Sequence, residues 1–238
     1  MKTVFDNITK AVPVIRVNNR DLNLAFYKET LGLKVISEEN ALAMLGSKSA
    51  KTRMDTRLIL EESPSMRTRA VNGVKKLRKI VIESPEFTEG FEATSPEGDV
   101  FEIVPSQSDS LDIKITEIQL NTSNIKNTLA FYVEGFGLTE KKNAVQLPFG
   151  KISYFEAQGP DLLANPEEVW DLEIIEFEVA PEVDLHQIAS QLDDLGLDYY
   201  VDKKGKILTL TDGQNIEIWF VNAVPPLFTN KFIICLYS

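Results

Sequence analysis

The sequence predicts an α+β fold: four related strand–helix–strand units, one of them shortened, set out as two tandem halves. Three observations lead there. LAFYKETLGL at Leu24–Leu33 returns as LAFYVEGFGL at Leu129–Leu138. GDVFEIV from Gly98 returns as GQNIEIW from Gly213, in the same order and at nearly the same separation, which marks a duplicated unit of about half the chain. Between these echoes, apolar residues alternate with polar ones as strands require, and one stretch spaces them by three and four as a helix does.

Lys10–Val17 (KAVPVIRV) is a β-branched run with period two, hence a strand. Asn18 and Asn19 are suited to cap the helix that follows, because an Asn side chain accepts a free N–H of the first turn. That helix is expected over Arg20–Leu31, burying Leu22, Ala25, Phe26 and Leu31, with Gly32 ending it in the left-handed conformation. Strands follow at Leu33–Ser37, Ala41–Leu45 and Arg57–Glu61. Leu77–Glu83 opens a second unit, but too few residues remain before Gly98 for a helix, so this unit is shortened and resumes with Val100–Val104. The polar run Pro105–Asp109 is the expected boundary between domains 1–110 and 111–238, each predicted to curl a mixed sheet, with exchange of units between the halves left open.

The second half repeats the plan. Ile113–Asn121 is a strand, Ser123 the expected cap, and Asn124–Glu134 a helix. Strands are expected at Ala144–Leu147 and Ile152–Ala157, then at Leu172–Val179 to open the fourth unit. Leu185, Ile188, Leu192 and Leu195 form the apolar stripe of a helix stopped by Gly196. Tyr199–Val201, Ile207–Thr211 and Asn215–Phe220 complete the unit, and the tail Phe232–Leu236 would add an edge strand or cover a core. The two LAFY helices should superpose with Phe26 and Phe131 buried.

A net charge of −11 argues against a nucleic-acid surface, which needs a basic face. All the negative excess lies beyond Ser110, and all the arginines lie before it. Two readings stay open: drift between duplicated halves, or a second half that repels anions and can attract a cation or a basic partner surface. Cys235 is alone, which fits a reducing compartment, and no apolar run is long enough to span a membrane. With no signal-peptide pattern at MKTVFDNITKAV, a cytosolic protein is expected, unless it reaches the surface or leaves the cell by an unconventional route.

A strand ending in a polar pair, a helix carrying A-F-Y and closing in L-G-L, and a later turn of the form Glu97–Glu102 (EGDVFE) or Asp212–Glu217 (DGQNIE) resemble the vicinal-oxygen-chelate superfamily, the glyoxalase and bleomycin-resistance relatives. The resemblance implies tandem βαβββ modules whose sheets curl into cups. Within it, ITKAVPVIRVNNRDLNLAFYKETLGLKV is similar to the CppA family, labelled complement-degrading proteinases, which implies a complement protein as partner.

In metal-dependent relatives, His or Glu side chains on cup-facing strands hold a divalent ion that acts as a Lewis acid. Carried across by alternation, the first-half ligand positions fall on Val12 and Lys79, with Glu102 keeping a ligand type and Arg16 and Glu83 on the same faces. No metal is expected there. Instead Lys79 is predicted to pair with Glu102, and Arg16 to reach Glu102 or Glu83. In the second half Glu117, Gln119, Asn121, Glu176, Glu178, Glu217 and Trp219 face inward. Glu117, Glu176 and Glu217 are the candidate acids and bases. If an ion is held, Glu117 and Glu217 would hold it, and an all-oxygen set suits Ca²⁺ or Mg²⁺.

The proteinase label finds no machinery in the residues. His186, the only histidine, lies on the solvent side of its helix, and Cys235 sits among apolar neighbours that raise a thiol's pKa. There is no HExxH and no Asp-Thr-Gly or Asp-Ser-Gly. Three classes stay open: an enzyme; a metal-free protein holding a small apolar or cationic ligand; and a partner-binding protein, with a homodimer among the assemblies it allows.

Overall fold

The computed structural model describes residues 4–63, 67–108 and 110–222, so the expected tail strand and Cys235 lie outside the described residues. The first unit is β1 (Ile8–Val17), α1 (Arg20–Glu29), β2 (Lys34–Glu39), β3 (Leu42–Gly46) and β4 (Thr56–Glu62). The second holds only strands: β5 (Leu77–Ser84), β6 (Phe91–Thr94), which the sequence did not announce, and β7 (Val100–Pro105). The third is β8 (Lys114–Thr122), α2 (Ile125–Ala130), β9 (Ala144–Leu147) and β10 (Gly150–Glu156). The fourth is β11 (Leu172–Val179), α3 (Leu185–Asp193), β12 (Tyr199–Val201), β13 (Ile207–Thr211) and β14 (Glu217–Asn222). As expected, no helix joins β5 to β6.

The strands form an eight-stranded sheet, β12-β13-β14-β11-β1-β4-β3-β2, and a six-stranded one, β6-β7-β5-β8-β10-β9. Each sheet takes one unit from each half. The first and fourth units join by antiparallel β1 and β11, the second and third by antiparallel β5 and β8. This corrects the expectation that each half curls a mixed sheet: units are exchanged between the halves. Every unit-opening strand pairs in parallel with the last strand of its own unit, leaving one free edge to satisfy. The linkers decide which edge meets it. The linker that includes residues 67–76 crosses from the eight-stranded sheet to the six-stranded one, and residues 157–171 cross back. The two are stitched together where the Arg69 N–H donates to Glu168 O (3.1 Å) and the Trp170 N–H to Arg69 O (2.9 Å). Asp161 locks the crossing by accepting both guanidinium nitrogens of Arg69, at 2.5 and 2.9 Å.

Between the sheets lies one continuous apolar core, including Ile15, Leu60, Ile80, Phe101, Ile118, Leu120, Phe177 and Phe220. Phe5, in a short 3₁₀ turn at Val4–Asn7, plugs the second half's share of it, edge-on to Tyr132, Phe136, Phe177 and Phe220. The helices also lie on this side, so the opposite faces of both sheets are left for other work.

Asn19 caps α1 as expected, its side chain accepting the Leu22 N–H at 2.9 Å. The helix phase differs from expectation. Leu24 and Tyr27 are buried, while Leu22 is 55% exposed and Ala25 exposed. Tyr27 reaches across to Phe101 of the other sheet (5.3 Å), and Phe26 approaches the same ring (6.0 Å). Phe26 and Phe131 are half-buried, and the neighbouring Tyr27 and Tyr132 are the fully buried rings of the repeat. At the second copy Asn124, rather than Ser123, is the cap, and α2 runs on into a π turn at Phe131–Gly135. In α3, Leu185 and Leu192 are buried, but Leu195 lies beyond the helix end and is exposed.

The two halves of each repeat also meet. The Glu97 carboxylate accepts the N–H groups of Asn18 (2.9 Å) and Asn19 (3.1 Å) and the Asn23 amide (3.0 Å), so the second unit's turn closes the N-terminus of α1. In the second half the Tyr132 hydroxyl donates to Asp212 (3.1 Å) and the Gln214 amide to Asn121 O (2.7 Å).

Candidate functional site

Alternation fixes which side chains line the two outward, concave faces. On the six-stranded sheet, Lys79 stands opposite Gln119, and Val81 opposite Glu117 and beside Glu102. Lys151 and Ser153 of β10 flank Glu117 and Gln119. The Lys79 ammonium lies 3.2 Å from Glu102 and 2.6 Å from Glu92, so the expected Lys79–Glu102 pair is present, with Glu92 as a second partner. Glu92 first, and Glu102 after it, hold Lys79 above the ordinary lysine pKa, so it serves as a fixed cation and not as a base. Its side chain is 21% exposed and that of Glu102 42%, which limits the pair to about 0–1 kcal/mol. Glu117 accepts the Ser153 hydroxyl (2.6 Å) and pairs with Lys151 (3.2 Å). Glu83 accepts the Ser106 hydroxyl at 2.6 Å. Asn121 is buried, its amide donating to Lys75 O at 2.9 Å.

The eight-stranded face differs in kind. Val12, Val14, Met44, Ile59 and Ile174 form a buried apolar floor separate from the main core, with Ile36, Leu42 and Trp219 packed against it. One end is closed by Lys10, which pairs with Glu178 (2.9 Å) and donates to Met54 O. At the other end Arg16 makes a bidentate contact with Glu173 and lies 3.4 Å from Glu61, and its third nitrogen donates to the Ser63 hydroxyl (3.0 Å). Glu176 sits mid-floor, opposite Val12 and beside Trp219, and the indole N–H donates to Glu217 at 2.8 Å. Desolvation raises the Glu176 pKa, with Arg53 and Lys10 opposing it. For Glu173, burial and then the Glu61 charge push the pKa up to about 8 against the pull of Arg16.

The expected site residues are thus divided between two faces. Lys79, Glu83, Glu102, Glu117, Gln119 and Asn121 belong to the six-stranded sheet; Arg16, Glu176, Glu178, Glu217 and Trp219 belong to the eight-stranded one. Glu117 and Glu217 therefore cannot share an ion, and Glu117 cannot act with Glu176 and Glu217 as one catalytic trio. Arg16 reaches neither Glu102 nor Glu83. All three corrections follow from the exchange of units between sheets. Among the described residues no three His, Cys, Asp or Glu side chains gather in metal-binding geometry. Val12 and Lys79 at ligand positions, one without a donor and one cationic, do not fit the superfamily's metal. His186 is exposed on α3. No described helix is long and apolar enough to cross a membrane.

Glu173 and Glu61 were missed. A bulge between Val14 and Ile15 leaves Glu173 without a partner across the seam and turns it towards Arg16, breaking the alternation by which inward residues were chosen.

Comparison with known proteins agrees with this architecture. The CppA N-terminal model matches residues 10–90 and the CppA C-terminal model residues 110–220. No curated protein matches. The crystal structure of the cppA protein from Streptococcus pneumoniae TIGR4 is similar at 26% identity and a TM-score of 0.66, over 92% of this chain and 99% of that one. A putative dioxygenase from Bacillus subtilis subsp. subtilis str. 168 (12% identity, TM-score 0.63, 94% and 87% covered) and glyoxalase I from Zea mays (12%, 0.58, 89% and 91%) share the fold. With both domain models matched in order along a vicinal-oxygen-chelate fold, the chain belongs to the CppA family.

Proposed function

We propose that this chain is a metal-free binding protein whose ligand site is the concave face of the eight-stranded sheet. One observation supports this above others: the floor of Val12, Val14, Met44, Ile59 and Ile174 is apolar, yet lies apart from the core that holds the sheets together. Small-molecule sites have this composition, an apolar lining with a few polar groups that orient the ligand. Glu176, Glu217 and the Trp219 indole are those groups here. The family's proteinase label would need a nucleophile with a base, a carboxylate pair holding a water, or a metal. The carboxylate pairs brought together, Glu61 with Glu173 and Glu92 with Glu102, are taken up by Arg16 and Lys79.

The test has two arms. Incubation with purified complement proteins should leave them intact, with and without added divalent ions. A small-molecule library screened by thermal shift should yield binders whose effect is lost in a floor-filling variant, Val14→Phe. Cleavage of a complement protein that survives in V14F would overturn the reading.

A further inference from the structure

On both concave faces, the carboxylates that are not left exposed, as Glu39 is, have partners with one exception. Glu178 has Lys10; Glu61 and Glu173 have Arg16; Glu117 has Lys151 and Ser153; Glu102 has Lys79; Glu83 has Ser106; Glu217 has the indole N–H. Glu176 forms no hydrogen bond and no ion pair among the described residues, although it stands half-buried between Val12 and Trp219 on an apolar floor. Arg53, the cation that acts on it most strongly, lies beyond the 4.0 Å of an ion pair. A charge left in such a setting is costly unless something compensates it.

The chemistry of the gap narrows what fills it. A divalent ion would demand six or more oxygen ligands, and this face lacks the cluster. An anion would be repelled by the Glu176 carboxylate, and a neutral molecule would give its charge no partner, leaving protonation as the alternative. An organic cation satisfies each element: its charge meets the carboxylate, and its head and the adjoining carbon body lie on the part-exposed Trp219 indole, which packs against the buried floor of Val12, Val14, Ile59 and Ile174. Trp219 neighbours Glu176 in parallel register, and its bond to Glu217 fixes the ring; tryptophan is the strongest cation–π partner. We propose that this face binds a small organic cation, an alkylammonium with a compact apolar body, with Glu176 as its counter-ion and Trp219 against its head. This rests on reading the face as a ligand site.

Calorimetric titration of the full chain with hexyltrimethylammonium, hexanol and hexanoate tests it. The cation should bind about tenfold or more tighter than hexanol, and hexanoate weakest of the three. Glu176→Gln should abolish the cation's advantage over hexanol. Arg53→Ala, by removing a competing positive charge, should tighten the cation a few-fold. Hexanol binding as tightly as the cation, or E176Q keeping the preference, would overturn the cation assignment while the ligand face stands. Failure of all three probes at millimolar concentration would overturn the ligand face and the assignment with it.

Discussion

Replacing Glu173 by glutamine measures the cost of confining two carboxylates with one arginine. In the fold the Glu173 pKa rises from 4.5 to about 8, through burial and the neighbouring Glu61. The folded state therefore binds more protons than the unfolded chain between those values, and stability must fall as pH rises through that window. Each tenfold change in proton affinity is worth about 1.36 kcal/mol, so the full displacement amounts to ~4–5 kcal/mol. Divided over a pair that also shares Arg16, the expected loss from pH 5.5 to pH 9 is about 2–3 kcal/mol, or ~4–12 °C in Tm. Side-chain exposures of 3% for Glu173 and 10% for Glu61 leave little solvent to screen the repulsion. Glu176, Asp171 and Asp212, also raised by burial, add to the slope with the same sign. Glu173→Gln leaves Arg16 with Glu61 at 3.4 Å, a balanced pair, and should flatten the profile without unfolding the chain. Urea midpoints followed by circular dichroism at half-unit steps of pH would show it. An unchanged slope in E173Q would refute the argument, and so would a wild-type protein as stable at pH 9 as at pH 5.5.

The duplicated tyrosines should respond oppositely to loss of the hydroxyl. Tyr132 donates to the buried Asp212, so Tyr132→Phe should cost about 1.5–3 kcal/mol by chemical denaturation. The buried Tyr27 hydroxyl has no hydrogen-bond partner among the described residues, so Tyr27→Phe should be neutral or stabilising by up to about 1 kcal/mol. Helix phase is checked by a second contrast: Leu24→Ala should cost about 2–5 kcal/mol and Leu22→Ala less than about 0.5.

What the sequence reveals here is what short range decides. The LAFY repeat, the Asn19 cap and the alternation of KAVPVIRV follow from residues within a few positions of one another. The partner of each opening strand does not. Lys10–Val17, Leu77–Glu83, Ile113–Asn121 and Leu172–Val179 all present the same alternating edge, so pairing β1 with β11 in place of β5 is a choice made by the linkers. Sorting the candidate residues by half therefore joined Glu117 to Glu217, which stand on different sheets. Lys79 and Glu102 were legible because they belong to one unit. Glu173 was hidden by a bulge, a local break in period that composition does not announce.

Joining first unit to fourth and second to third has a consequence for how the protein diversifies. The same pairing would arise if two copies of a two-unit chain, assembled as a symmetric dimer that exchanges units, were fused end to end. In such a dimer both concave faces are copies of one sequence, and every substitution changes both. Fusion lifts that constraint. One face here is lined with ion pairs and the other floored with valine, isoleucine and methionine, a divergence symmetry would forbid. A substitution on either face can thus be selected for its own surface, while the shared core between the sheets holds both in place.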